Sequence, residues 1–208
     1  MLENIIFDLG GVLLNIDMDK TRSAFIKLGW LEEDWKGIVQ SGNPLFANLE
    51  EGLSSSVQFR NNIRKLLPGN PSDDEIDNAW NAMLLDFPPG RVDYLLELRR
   101  SYRLYLFSNT NELHLHRFRD IFEHTFGYPL HRLFEKCYFS HEIGSRKPNP
   151  EAFQKVLKDA FLDPEKTLFV DDLKPNTDAA EGLGMKVLHI EAGTLLLRLP
   201  KYLKQFAD

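Results

Sequence analysis

The sequence predicts an α/β fold: a parallel-sheet core with helices on both faces and an all-helical insertion after the first strand. Three observations carry this. Short apolar segments rich in Ile, Leu, Val and Phe alternate with helical patterns through the second half of the chain. Residues 16–87 hold helical periodicity and little strand signal. Two of the apolar segments end directly in acids, at Asp8 and at Asp171-Asp172, where an open α/β sheet places its ligands.

In order along the chain, Ile5-Ile6-Phe7 is the first strand. It runs into Asp8-Leu9-Gly10-Gly11, which sets a carboxylate at the strand end beside glycines that let the backbone turn tightly. Ala24, Phe25 and Leu28 recur at helical spacing, with Gly29 as a stop. Phe59, Ile63, Leu66 and Leu67 form a second apolar stripe, with Ser54, Ser55 and Ser56 as candidate caps and Pro68-Gly69 as terminator. A third helix starts near Ser72. Its first turn holds Asp73, Asp74 and Glu75 at the positive end of the helix dipole, and its apolar face carries Ile76, Ala79, Trp80, Met83 and Leu84. Pro88-Pro89-Gly90 closes the insertion.

Beyond it, Val92, Leu95, Leu96 and Leu98 mark a helix leading to a strand over 103–107, then a helix from about Glu112 and a strand over 136–139. Asn149 as cap, Pro150 and Glu151 open the next helix, followed by strands over 168–170 and 186–190 and a terminal helix within 191–208. Strands separated by helices pair in parallel through right-handed crossovers. The expected division is a core of residues 1–15 and 88–208 and a helical insertion of residues 16–87.

At 208 residues, 43% hydrophobic and 27% charged, the chain can bury a substantial core. A net charge of −6 argues against a general nucleic-acid binder, since a phosphate backbone rewards clustered Lys and Arg. A small phosphorylated molecule stays compatible, because one local lysine serves one phosphate. Cys137 is the single cysteine, so no intrachain disulfide forms, and its apolar setting reads as a strand residue. The six histidines show no zinc-ligand spacing. With neither a signal-type start nor a membrane-length apolar run, a cytoplasmic protein is expected, and no membrane partner.

Four motifs occur in order: Phe7-Asp8-Leu9-Gly10, Leu106-Phe107-Ser108-Asn109-Thr110-Asn111, Arg146-Lys147-Pro148, and Val170-Asp171-Asp172. Each is weak alone. Together they resemble the haloacid dehalogenase-like (HAD) hydrolase superfamily, largely phosphatases with a Rossmann-like core, and the resemblance covers the whole chain. It implies that Asp8 is a nucleophile forming an aspartyl phosphate, that Ser108 and the Asn109 amide bind the transferring phosphoryl group, and that Lys147 neutralises nucleophile and phosphoryl charge. It also implies a magnesium site at Asp8, the Gly10 carbonyl and Asp172, with Asp171 as helper. Electrostatics agrees: two carboxylates about 4 Å apart repel by roughly 4 kcal/mol at an effective dielectric near 20, and magnesium suits an all-oxygen site. Arg146 is the competing cation, with the poorer match to the pattern.

Many such phosphatases carry an acid two residues after the nucleophile, and here that position is Gly10. General acid–base help is worth ~10²–10⁴-fold, so leaving groups that need protonation should react slowly. The sugar-1-phosphate phosphatase branch is similar in its Phe-Asp-Leu-Gly start, its Asn-Thr-Asn run and an acidic-Gly turn, here Glu50-Glu51-Gly52-Leu53-Ser54. The expected activity is magnesium-dependent hydrolysis of a small phosphate ester, possibly a sugar phosphate. The alternatives are a metal-independent haloacid dehalogenase-type hydrolase, against which the acidic pair argues, and a catalytically silent binding protein of the same fold.

Overall fold

Alternation along the central strands dictates a sheet buried on both sides. In β1 (Asn4–Phe7), Ile5 and Phe7 join one apolar cluster and Ile6 the other. The same split divides Leu104 and Leu106 from Tyr105 and Phe107 in β2 (Arg103–Ser108), and Leu168 and Val170 from Phe169 in β4 (Thr167–Asp171). With β3 (Lys136–Phe139) and β5 (Lys186–His189) these form a five-stranded, all-parallel sheet in the order β3-β2-β1-β4-β5. A computed structural model describes residues 1–33, 35 and 43–206. Residues 34 and 36–42 of the expected insertion, and 207–208 of the expected terminal helix, lie outside the described residues.

After β1 come α1 (Met18–Lys27), α2 (Pro44–Glu50), α3 (Ser56–Leu66) and α4 (Asp73–Asn81). Ser55 and Ser72 each complete a capping box, with Gln58 and Glu75, which starts α3 and α4 where the serines predict. α2 has no counterpart in the sequence reading, although Asn43 as cap and Pro44 at the first position signal it. These helices have their own core of Phe25, Trp30, Phe59, Ile63, Ile76 and Trp80. Fully burying side chains of this size stabilises by about 1.5–3 kcal/mol each.

α4 stops at Asn81 and does not carry Met83 and Leu84 on its face. The chain is instead captured by the outgoing strand segment: Asp17 N–H donates to Met83 O (2.9 Å), Leu85 N–H to Asn15 O (3.0 Å) and Asn15 N–H to Asp86 O (2.9 Å). The two passages into and out of the helical segment are thus laced to each other, with Ile16 and Leu84 as an antiparallel bridge.

The core helices follow. α5 (Pro89–Leu98), α6 (Glu112–Phe126) and, at the end of the chain, a helix over Leu195–Leu203 cover the face of Ile5 and Phe7. Short α7 (Ser140–Ile143) extends β3; α8 (Pro150–Asp159) and α9 (Lys174–Glu181) cover the face of Ile6, and the Leu195–Leu203 helix is α10. No helix among the described residues is long and apolar enough to cross a membrane.

Register then positions the chemistry. Phe7 lies opposite Leu106 and Val170, so one step further brings Asp8 beside Phe107 and Asp171. The Asp8 N–H donates to Val170 O (2.9 Å) and holds that step. β1 and β4 straddle the point where strand order reverses, the usual ligand crevice of an open α/β sheet.

Candidate active site

Lys147 occupies the centre of the crevice with 1% of its surface exposed. Its Nζ donates to Asp8 Oδ1 (2.6 Å), Asp171 Oδ2 (2.8 Å) and Phe107 O (2.8 Å), so each ammonium proton has a protein acceptor. The Phe107 and Phe169 rings lie 5.2 Å from Nζ on either side. Burial alone would push the Lys147 pKa down, but the Asp171 and Asp8 carboxylates outweigh it and raise it. The two carboxylates thus favour the charged form of Lys147. Arg146 turns the other way, toward Glu50 at the end of α2, at 2.8 Å. One buried place faces Asp8, and Lys147 takes it.

Oxygens of Asp8, Asp171 and Asp172 lie within 4.8 Å of one another. Asp171 is fully buried and heavily engaged: Asn176 Nδ2 donates to both its oxygens (3.0 Å each), and the Leu173 N–H donates to Oδ1 (2.8 Å). Its carboxylate anchors Lys147. Asp172 is half-buried and faces Gly11, where an added Cβ would overlap its Oδ2. Burial pushes the Asp8 carboxyl up to about 7, with the Asp171 and Asp172 charges adding to it and Lys147 opposing. Burial and Asp171 likewise raise Asp172. Three acids against one ammonium leave a surplus of negative charge in a buried, all-oxygen site, a donor set that fits magnesium.

Ser108 ends β2 at the same edge and is buried, its Oγ making only a 3.4 Å contact with Asn109 O. That hydroxyl is barely committed within the protein. The Asn109 side chain, by contrast, is bound to the Lys147 main chain at both N–H and C=O. Gly10 lies two residues past Asp8 in a turn closed by Gly11 N–H donating to Leu14 O (2.9 Å). Asp8, Ser108, Lys147, Asp171 and Asp172 thus converge from four separate stretches of chain. Sequence reasoning missed the Phe107 carbonyl, the Glu50–Arg146 pair and the use of the Asn109 side chain. No local pattern announces a carbonyl acceptor or a partner tens of residues away.

Residues 2–184 match the haloacid dehalogenase-like hydrolase family. The chain belongs to that family. This HAD-like hydrolase is 36% identical to D-ribitol-5-phosphate phosphatase of Bacteroides thetaiotaomicron, over 93% of this chain and 94% of that protein. A crystal structure of a HAD family enzyme from the same organism, a mutant in complex with magnesium and inorganic phosphate, is 36% identical with a TM-score of 0.89. It covers 95% of this chain and 100% of that one. A HAD-like family hydrolase from Porphyromonas gingivalis is 30% identical with a TM-score of 0.87, over 100% of this chain and 99% of that one.

Proposed function

We propose that this HAD-like hydrolase is a magnesium-dependent phosphatase acting on a small sugar or sugar-alcohol phosphate, with Asp8 as its nucleophile. The observation that carries the reading is Asp8, held by Lys147 at the sheet edge inside the three-acid cluster. The named activity of the 36%-identical relative supports the substrate class.

In this reading Asp8 attacks phosphorus, the leaving alkoxide departs, and water hydrolyses the aspartyl phosphate. Lys147 fixes the Asp8 oxygen and lowers the cost of charge gathering on the phosphoryl group. The Ser108 hydroxyl and the Asn109 N–H bind the phosphoryl oxygens. Asp8, Asp172 and the Gly10 carbonyl would hold magnesium, with Asp171 supporting through Lys147. The ion supplies charge that keeps Asp8 ionised and offsets the phosphate. Gly10 offers no proton, so the leaving group depends on its own acidity.

Residues 16–87 form the cap that selects substrates, joined to the core of residues 1–15 and 88–208 by the laced passages near Ile16 and Leu84. The acidic net charge argues against a nucleic-acid substrate, and in this reading the enzyme acts on a diffusible small molecule in the cytoplasm.

The test is phosphate release from sugar phosphates, alditol phosphates, nucleotides and acyl phosphates, with and without magnesium. Asp8→Asn should abolish release while leaving the folded protein intact, because an amide cannot replace the carboxylate nucleophile. Near-wild-type release by a contamination-free Asp8→Asn preparation would sink the mechanism.

A further inference from the structure

Both ends of Lys147 are tied to one short stretch at the end of β2. Its Nζ donates to Phe107 O (2.8 Å). At the other end the Lys147 N–H donates to Asn109 Oδ1 (2.9 Å), and Asn109 Nδ2 donates to Lys147 O (2.8 Å). A carboxamide that accepts from a residue's N–H and donates to its C=O grips it as a neighbouring strand would, in position and in rotation. Among the described residues no other group bonds the Lys147 N–H or carbonyl. The loop itself offers little: Ser145 N–H donates to Ser140 O (3.2 Å) and Asn149 N–H to Arg146 O (3.0 Å), and neither bond touches residue 147.

We propose that Asn109 is the positioning residue of Lys147: its side chain sets the main chain of the lysine so that Nζ reaches Asp8 and Asp171 together. This rests on the phosphatase reading above. Nζ must meet three fixed acceptors at the end of a long side chain, so a shift of the Lys147 Cα is passed on to all three bonds. Misplacement by ~1 Å at a reacting group costs up to ~10²-fold. Phosphoryl recognition at residue 109 is then left to its backbone N–H alone, since the carboxamide is occupied by the lysine.

The experiment compares the full-length wild type with Asn109→Ala, Asn109→Asp, Lys147→Met and the Asn109→Ala/Lys147→Met double variant. An aryl phosphate and magnesium serve as probes, and melting temperature is followed in parallel. Asn109→Ala should lower kcat ~10–100-fold while KM and the half-saturating magnesium concentration stay within about twofold. Asn109→Asp keeps the acceptor for the Lys147 N–H and should recover part of the loss. With Lys147 already replaced, Asn109→Ala should cost little more, because a residue acting only through another adds nothing once that partner is gone.

A full additional loss in the double variant, or Asn109→Ala turnover within about twofold of wild type, would overturn the positioning role. If Asn109→Ala fails to fold, Asn109→Asp decides: a fall in kcat at unchanged KM supports the clamp, and an unchanged kcat overturns it. Absence of phosphate release by the wild type, or an indifferent Lys147→Met variant, would instead overturn the phosphatase reading itself.

Discussion

At Gly10 the backbone has an ordinary φ, and an added Cβ would lie 3.4 Å from Ile16 Cδ1, a normal van der Waals contact. At Gly11, φ is +75° and an added Cβ would overlap the Asp172 carboxylate. One glycine is replaceable and its neighbour is not. Wild-type kcat should fall steeply as leaving-group pKa rises, measured where Asp8 phosphorylation limits the rate. Gly10→Asp should fold and flatten that plot, recovering part of the ~10²–10⁴-fold that a general acid supplies. A flat wild-type plot would mean that some other group donates the proton. With Asp172 as a magnesium ligand, as proposed, Gly11→Ala should raise the half-saturating magnesium concentration ~10-fold or more, because a Cβ at this positive-φ position would displace the Asp172 carboxylate. A magnesium titration of activity checks it.

α2 and the turn after it meet the core at the loop that carries Lys147. Gly52 has φ +70°, and a Cβ there would overlap the His141 carbonyl oxygen, so the turn is wedged against α7. Glu50 meets Arg146 as an ion pair at 2.8 Å without hydrogen-bond alignment, and burial raises the Glu50 pKa even though Arg146 opposes it. The Glu50 Oε2 that faces Arg146 is covered from solvent, so removing the guanidinium would leave a desolvated carboxylate without its partner. Arg146→Ala should therefore lower the melting temperature, and adding Glu50→Gln should recover part of the loss. As the turn borders the catalytic loop, the same variant should shift relative kcat/KM between bulky and compact substrates ~10-fold, with the magnesium requirement unaltered. Equal losses on every substrate would reduce the turn to a structural role.

The helical segment and the core are joined by a buried seam. Trp80 stacks on His114 at 4.6 Å between ring centroids, Trp80 Nε1 donates to Asn111 Oδ1 (3.4 Å), and Leu113 enters the helical segment's own core. His114 Nε2 lies 3.2 Å from Trp80 O; a carbonyl only accepts, so this nitrogen carries the proton of a neutral ring. Burial pushes the His114 pKa from 6.5 to about 4. Between those values the unfolded chain binds more protons than the folded one. Stability is therefore full above pH 6.5 and is lost as pH falls toward 4. This one group should remove about 2 kcal/mol between pH 7 and pH 5. Denaturant unfolding of His114→Phe, which keeps the stack on Trp80, should show a correspondingly shallower acid slope. Parallel slopes for wild type and variant would contradict the assignment.

The order of the five strands and the longer helices, the sheet class and the strand-end positions of Asp8, Ser108 and the 171–172 pair were legible in the sequence because they are local patterns. Ile5, Ile6 and Phe7 form an apolar run that leads directly into an acid, and Ser55 and Ser72 announce helices by capping chemistry that spans four residues. The end of α4 was not legible, because Asn15 and Asp17 take its continuation into a ladder from a distant part of the chain. The Lys147-Pro148 motif favours Lys147 over Arg146 by resemblance, but the physical chemistry of two adjacent cations does not separate them. Only tertiary structure decided which faces Asp8, by bringing Phe107 O, Asp8 and Asp171 from three strands around one ammonium and Glu50 around the neighbouring guanidinium. The chemistry of each residue is a property of its type, whereas its partner is a property of the register of strands far apart in the chain.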